Sequence, residues 1–172
     1  MPRLLVAPLS SLADALQAHA PSHLISLLSP EHMIETPAGF PIPMHLKLGI
    51  NDIVDPLAGT APPGREHADR LLAFARDWDA KQPLLIHCWA GISRSMATAY
   101  AILCDRLGPG HEIQIARAMR QRAPHAQPNR LLVRHADDAL GRGGRMVMAL
   151  NSMSPPQLVG EGVTTDFPLE GL

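Results

Sequence analysis

HCWAGISRS, residues 87 to 95, decides how the rest of the chain is read. The apolar run PLLIH (83–87) leads into it, and SMATAYAILCDRLG (95–108) follows it at helical spacing. A short apolar run with a break at each end fits a central strand covered on both faces. The nine residues therefore form a loop that leaves the C-terminal end of a buried strand and enters the N-terminus of a helix. Such a place binds anions, because free backbone N–H groups point out of the first turn and the helix dipole favours negative charge. The amides of Trp89, Ala90, Gly91, Ile92, Ser93 and Arg94 can curl into a nest, and small Ala90 and Gly91 permit a tight bend. Arg94, six positions after Cys88, is placed to clamp two phosphate oxygens with its guanidinium. Cys88 then lies at the floor of the cradle, where the field that attracts phosphate favours a thiolate over a thiol. Ser95 can donate a hydrogen bond to the sulfur, and His87 can brace the loop. A lone buried Cys is most often an inert small apolar residue. The combination of Cys, Gly, Arg and Ser at this spacing is what points to chemistry.

Outward from the loop, the order is strand, helix, strand, strand, helix, strand, then helices. Strands are expected at Leu4–Ala7, His23–Leu28, Met44–Leu48 and the 83–87 run. Helices are expected from Ser10 or Ser11 to about Ala20, from near Gly64 through Trp78, and from Ser95 to Gly108. Two more are expected at Glu112 to about Arg122 and Asn129–Leu140. GINDIVDPLAGTAPPG (49–64) reads as a long loop, since its Asn, Asp, Pro and Gly interrupt any regular element. This order predicts an α/β fold with a central, mostly parallel sheet of about four or five strands flanked by helices. One domain is expected over 1–150, followed by an irregular Pro-, Gly-, Ser- and Thr-rich tail over 151–172.

The 172 residues suffice for one domain with a proper core. Hydrophobic residues make up 46% but aromatics only 3%, so Leu, Ile, Val, Met and Ala must build that core. The formal charge of −1 gives no electrostatic footprint for nucleic acid and no polybasic run for a membrane surface. No stretch is long enough to span a bilayer, and the start carries no cleavable signal pattern. Two Cys make no disulfide scaffold, so a reducing, cytoplasmic setting is expected. The His residues show no metal-ligand spacing, and no cofactor is expected. The oligomeric state is left open.

HCWAGISRS resembles the signature loop of cysteine-dependent protein tyrosine phosphatases, in particular the small dual-specificity-like branch. The resemblance is close over Leu84 to Leu107 and looser over Met44 to Leu140. It implies a phosphocysteine intermediate on Cys88, phosphate held by the loop amides and Arg94, and release assisted by Ser95. It also implies a general acid, an Asp on an upstream loop. Asp52, 36 residues before Cys88, matches that placement better than Asp55, which stays the alternative. Asn129 after Pro128 resembles a Pro-Asn element that braces the signature loop, although it can equally be an ordinary start of a helix. Trp89 is read as a residue of the pocket rim or of the packed protein. Arg117, Arg120 and Arg122 are read as a solvated helix face, and Cys104, about 15 Å along the helix from Ser95, as core. The chain has neither a Trp-Pro-Asp loop nor a Tyr placed to stack on a substrate ring, which argues against the large tyrosine-specific enzymes. It has no basic residue between Cys88 and Arg94, which argues against an inositol lipid. The implied substrate is a phosphorylated protein or a small phosphate ester: phosphotyrosine, with phosphoserine and phosphothreonine open. Other loop-thiolate enzymes are weaker fits. The six-residue loop ending in Arg-Ser opposes a sulfurtransferase, and the lack of a resolving Cys opposes an arsenate reductase. A non-catalytic phosphate-binding module is the remaining alternative.

Overall fold

A computed structural model describes residues 3–171. Met1, Pro2 and Leu172, the outermost residues of the expected domain and tail, lie outside the described residues. The elements are β1 (Arg3–Pro8), α1 (Leu12–His19), β2 (His23–Leu28), β3 (Met44–Gly49), α2 (Arg65–Asp77), β4 (Leu84–Cys88), α3 (Arg94–Leu107), α4 (Glu112–Arg122), α5 (Arg130–Ala139), α6 (Arg145–Asn151) and β5 (Thr165–Pro168). They form a five-stranded sheet ordered β3-β2-β4-β1-β5, in which only β5 is antiparallel to its neighbour. The expected α/β architecture is the observed one.

Alternation along the strands sorts the core into two layers. Leu4 and Val6 of β1, Ile25 and Leu27 of β2, and Leu84, Ile86 and Cys88 of β4 face the larger cluster, built with α2 to α6. Leu5, Ala7, Leu24 and Leu85 face the smaller one with Leu12, Ala15 and Leu16 of α1, and Phe40 and Ile42 pack against it. β4, in the middle of the sheet, is buried on both faces. This is why its sequence is a continuous apolar run rather than an alternating one.

Two elements differ from expectation. Residues 151–172 were expected to be irregular, yet Thr165–Pro168 pair antiparallel with β1, from Arg3↔Pro168 to Val6↔Thr165, and Phe167 is fully buried. α6 is an unexpected helix. Gly143 and Gly144 precede it with φ of +60° and +87° and form the turn by which the chain re-enters a helix. Among the described residues, no helix is long and apolar enough to cross a membrane.

Candidate active site

β1, β2, β3 and β4 run parallel, so the loops at their C-terminal ends gather on one edge of the sheet, where open α/β sheets bind ligands. The 89–93 segment lies there, between Cys88 at the end of β4 and Arg94 at the start of α3. Four of its five carbonyls are tied outward. Trp89 O accepts from Leu9 N (3.0 Å), Ala90 O from Gly162 N (2.8 Å), Ile92 O from Gln127 N (2.9 Å) and Ser93 O from Asn129 N (3.2 Å). None of the amides from Trp89 to Ser93 donates a hydrogen bond within the described residues. A loop whose acceptors are mostly engaged on its outside and whose donors stay unpaired can receive an anion.

Gly91 has a more specific reason than flexibility. Its φ is +69°, and a Cβ there would lie 2.8 Å from Pro8 N and 3.1 Å from the Ala7 carbonyl carbon. The loop passes so close to the end of β1 that only glycine fits.

Cys88 is 2% exposed, and its Sγ lies 3.1 Å from Ser95 Oγ. Arg94 is 6% exposed; its Nη1 donates to Ile50 O (2.8 Å), while its buried Nε has no partner among the described residues. A buried charged group with an unused donor is costly unless a ligand completes it. His87 is fully buried; its Nδ1 is 3.3 Å from Cys88 O and its Nε2 2.6 Å from Ser26 Oγ. Burial pushes the His87 imidazolium down to about 4, so the ring is neutral at neutral pH.

The 49–64 loop is closed at its waist. Asn51 and Ala61 are joined twice: Asn51 N donates to Ala61 O, and Ala61 N donates to the Asn51 side-chain Oδ1, both at 2.7 Å. Asn51 Nδ2 also reaches Ser29 Oγ (3.0 Å), tying the loop to the end of β2. Asp52 is the first residue of the excursion. Its Oδ1 accepts from Ser93 Oγ (2.6 Å) and from Asn129 Nδ2 (2.9 Å), while no hydrogen bond among the described residues engages Oδ2. Asn129 serves three segments at once. Its Oδ1 caps α5 by accepting from Leu132 N (3.0 Å), its Nδ2 holds Asp52 and Ile53 O, and its N–H holds Ser93 O. Asp52, Cys88, Trp89, Arg94 and Asn129 line one cleft of about 780 Å³, and Asp55 does not.

Trp89 is 55% exposed on the cleft wall, edge-on to His32 with ring centroids 5.5 Å apart. The expected solvated arginine face holds for Arg117, which is exposed, but not for Arg120. Arg120 lines the cleft and donates to Pro124 O, Ala126 O and Ser154 O, so it fastens the segment after α6 to the chain before α5. Burial pushes the Cys104 thiol up to about 12, which suits a core residue. Sequence reading missed the role of the C-terminal segment. Gly162 packs so tightly on His125 that a Cβ would lie 2.6 Å from Nε2. Nothing local in that segment marks the contact. Ser26 was also missed, although a polar residue inside the apolar run HLISLL was a visible signal.

No protein-family model matches the sequence, and no curated protein matches it. Solved structures do match over most of the chain. Human tyrosine phosphatase-like serine/threonine/tyrosine-interacting protein aligns with a TM-score of 0.63 at 21% identity, over 81% of this chain and 91% of that one. DUSP15 aligns with a TM-score of 0.61 at 19% identity, over 90% and 94%. The phosphatase domain of Yvh1 from Chaetomium thermophilum aligns with a TM-score of 0.57 at 24% identity, over 83% and 93%. The fold is that of the dual-specificity phosphatases.

Proposed function

We propose that this chain, on its dual-specificity-phosphatase-like fold, is a metal-independent protein phosphatase working through a phosphocysteine intermediate on Cys88. The observation that carries the reading is the cradle: carbonyls fastened outward, unpaired amides, the unpaired Arg94 Nε, and the sulfur of Cys88 at its base. A phosphate monoester supplies the acceptor oxygens that these donors lack.

In the first step the Cys88 thiolate attacks phosphorus in line. The S–P bond forms, the P–O bond to the leaving group breaks, and Asp52 gives its proton to the departing oxygen. Oδ1 of Asp52 already accepts two hydrogen bonds, so the proton it delivers belongs on Oδ2. In the second step water attacks phosphorus while Asp52, now a carboxylate, takes its proton. The P–S bond breaks, and Ser95 donates to the sulfur as it leaves. The amides of Trp89 to Arg94 hold the equatorial oxygens with Arg94, while His87 and Asn129 support the two loops. The substrates are phosphotyrosine esters, extending to phosphoserine and phosphothreonine if specificity is dual. Cys88 and Cys104 are both free thiols, as a cytoplasmic setting would keep them.

The test is turnover of para-nitrophenyl phosphate in EDTA by the wild type beside Cys88→Ser. Turnover by the wild type alone supports the proposal. Turnover by both, or turnover that requires added metal, defeats it. A second reading is a non-catalytic phosphate-binding module, favoured by the likeness to a protein named as phosphatase-like and interacting. Tight orthovanadate binding by a folded, reduced protein without turnover would select that reading.

A further inference from the structure

Behind the nucleophile, on the sheet face opposite Cys88, a line of polar side chains runs from the surface to the loop. Thr36 Oγ1 is 2.8 Å from His45 Nδ1, His45 Nε2 is 2.7 Å from Ser26 Oγ, and Ser26 Oγ is 2.6 Å from His87 Nε2. His87 Nδ1 then meets Cys88 O at 3.3 Å. Thr36 is exposed, His45 is half-buried on β3, and Ser26 and His87 are fully buried on neighbouring β2 and β4.

The directions of these bonds follow from one fixed point. A carbonyl oxygen only accepts, so His87 Nδ1 must carry the proton. A neutral ring then has Nε2 as an acceptor, and the Ser26 hydroxyl must donate to it. The Ser26 proton is thereby spent, so His45 Nε2 donates to the Ser26 oxygen, and His45 Nδ1 accepts from Thr36. Burial pushes both rings down to about 4, which keeps them neutral at neutral pH. No other assignment of protons satisfies all four contacts.

We infer that Ser26 and His45 are positioning residues for the nucleophile, setting the His87 tautomer so that Nδ1–H is held on the Cys88 carbonyl. This deepens the cysteine phosphatase reading and rests on it. The carbonyl of Cys88 is the last acceptor of β4 before the chain turns into the cradle. With the donor in place, the peptide plane behind the sulfur is fixed and the negative end of its dipole is neutralised. With Ser26 gone, the buried Nε2 takes the proton or stays unpaired, and the carbonyl loses its donor. The amides and Arg94, which hold phosphate, do not touch this line, so attack suffers while binding of the anion does not.

The test reads the tautomer directly and needs no activity. In the wild type, ring 15N chemical shifts are expected to show His87 as Nδ1–H with an unprotonated Nε2. Finding the Nε2–H form would overturn the inference without bearing on the phosphatase reading. In Ser26→Ala, kcat/KM for an aryl phosphate is expected to fall about five- to tenfold, the loss of one buried hydrogen bond. The affinity for inorganic phosphate should stay unchanged. Ser26→Thr, which keeps the hydroxyl, should restore both the tautomer and the rate. An Ala variant with full kcat/KM, or a Thr variant that folds with the wild-type tautomer but remains as slow as Ala, would contradict it. Should Ser26→Ala fail to fold, the wild-type tautomer still decides. Absence of turnover in a wild type with the expected tautomer would defeat the phosphatase reading and leave the proton assignment standing.

Discussion

The two loops that meet at Cys88 are built in opposite ways. The 87–95 loop is fastened by residues from four distant segments: Leu9 after β1, Ile50 after β3, Gln127 and Asn129 before α5, and Gly162 near the C-terminal end. Most of its residues are buried or half-buried. The 51–61 loop closes on itself through Asn51 and Ala61, and Asp52 is held by Ser93 and Asn129, while Val54 to Thr60 are exposed. The proposed nucleophile therefore belongs to a well-fastened frame. The proposed acid, Asp52, is placed by two side chains that can be removed one at a time. This division suits a reaction in which the sulfur and the anion cradle must be organised before substrate arrives, whereas the acid has to serve both steps.

The sharpest way to break the comparison is at its rigid side. Cys88→Ser is expected to lower kcat by about four orders of magnitude or more while leaving the melting temperature close to wild type, read by steady-state kinetics and thermal denaturation. Asp52→Ala should cost about 10²- to 10³-fold in kcat with a poor leaving group and less with para-nitrophenolate, since only the former needs the full proton. Asp55→Ala should cost nothing in the same assay; a loss there equal to that of Asp52 would reverse the assignment. Asn129→Ala touches both loops. It removes the α5 cap, about 1 kcal/mol of stability, and one of the two donors on Asp52, so a fall in kcat of roughly tenfold is expected alongside a lower denaturation midpoint. Gly91→Ala tests the frame alone. The methyl would press on the backbone of Ala7 and Pro8 at a positive φ, and a loss of about 1–3 kcal/mol in chemical denaturation is expected.

A smaller effect separates the frame from the acid by pH. His87 and His45 are both pushed down to about 4 by burial, whereas in the unfolded chain they return to about 6.5. As pH falls below 6.5 the unfolded state takes up protons that the folded state refuses, so stability drops through the window from 6.5 to 4. In Ser26→Ala, whose His87 lacks its partner, the steepness of that drop should change. Denaturation midpoints measured across that window decide.

Much of this was legible in the sequence. The strands and most helices declared themselves through local signals: the apolar run before His87, Gly108 closing α3, Asn129 opening α5. β5 and α6 did not, for different reasons. β5 exists because Thr165–Pro168 find an open edge of β1 about 160 residues earlier in the chain, which no local pattern encodes. α6 is only seven residues long and follows Gly143 and Gly144, whose positive φ turns the chain into it, so its pattern is too short to stand out. At the site, the spacing from Cys88 to Arg94 was enough to place a loop between a strand and a helix, because that loop is local. The fastening of its carbonyls by Gln127 and Gly162 was invisible because it is long-range. Asn129 was named for bracing the signature loop, but its second hold, on Asp52, needed the structure.

The central claim is that phosphate passes through the sulfur of Cys88, and the most direct measurement is to catch it there. Asp52→Ala, slowed in the second step, would be mixed with para-nitrophenyl phosphate, quenched in acid within the first turnover and analysed by intact mass and peptide mapping. A phosphocysteine route gives one added phosphoryl group, on the peptide that holds Cys88, and none in the Cys88→Ser partner. Nitrophenolate released in the first turnover with no adduct, or an adduct on any other residue, would contradict it.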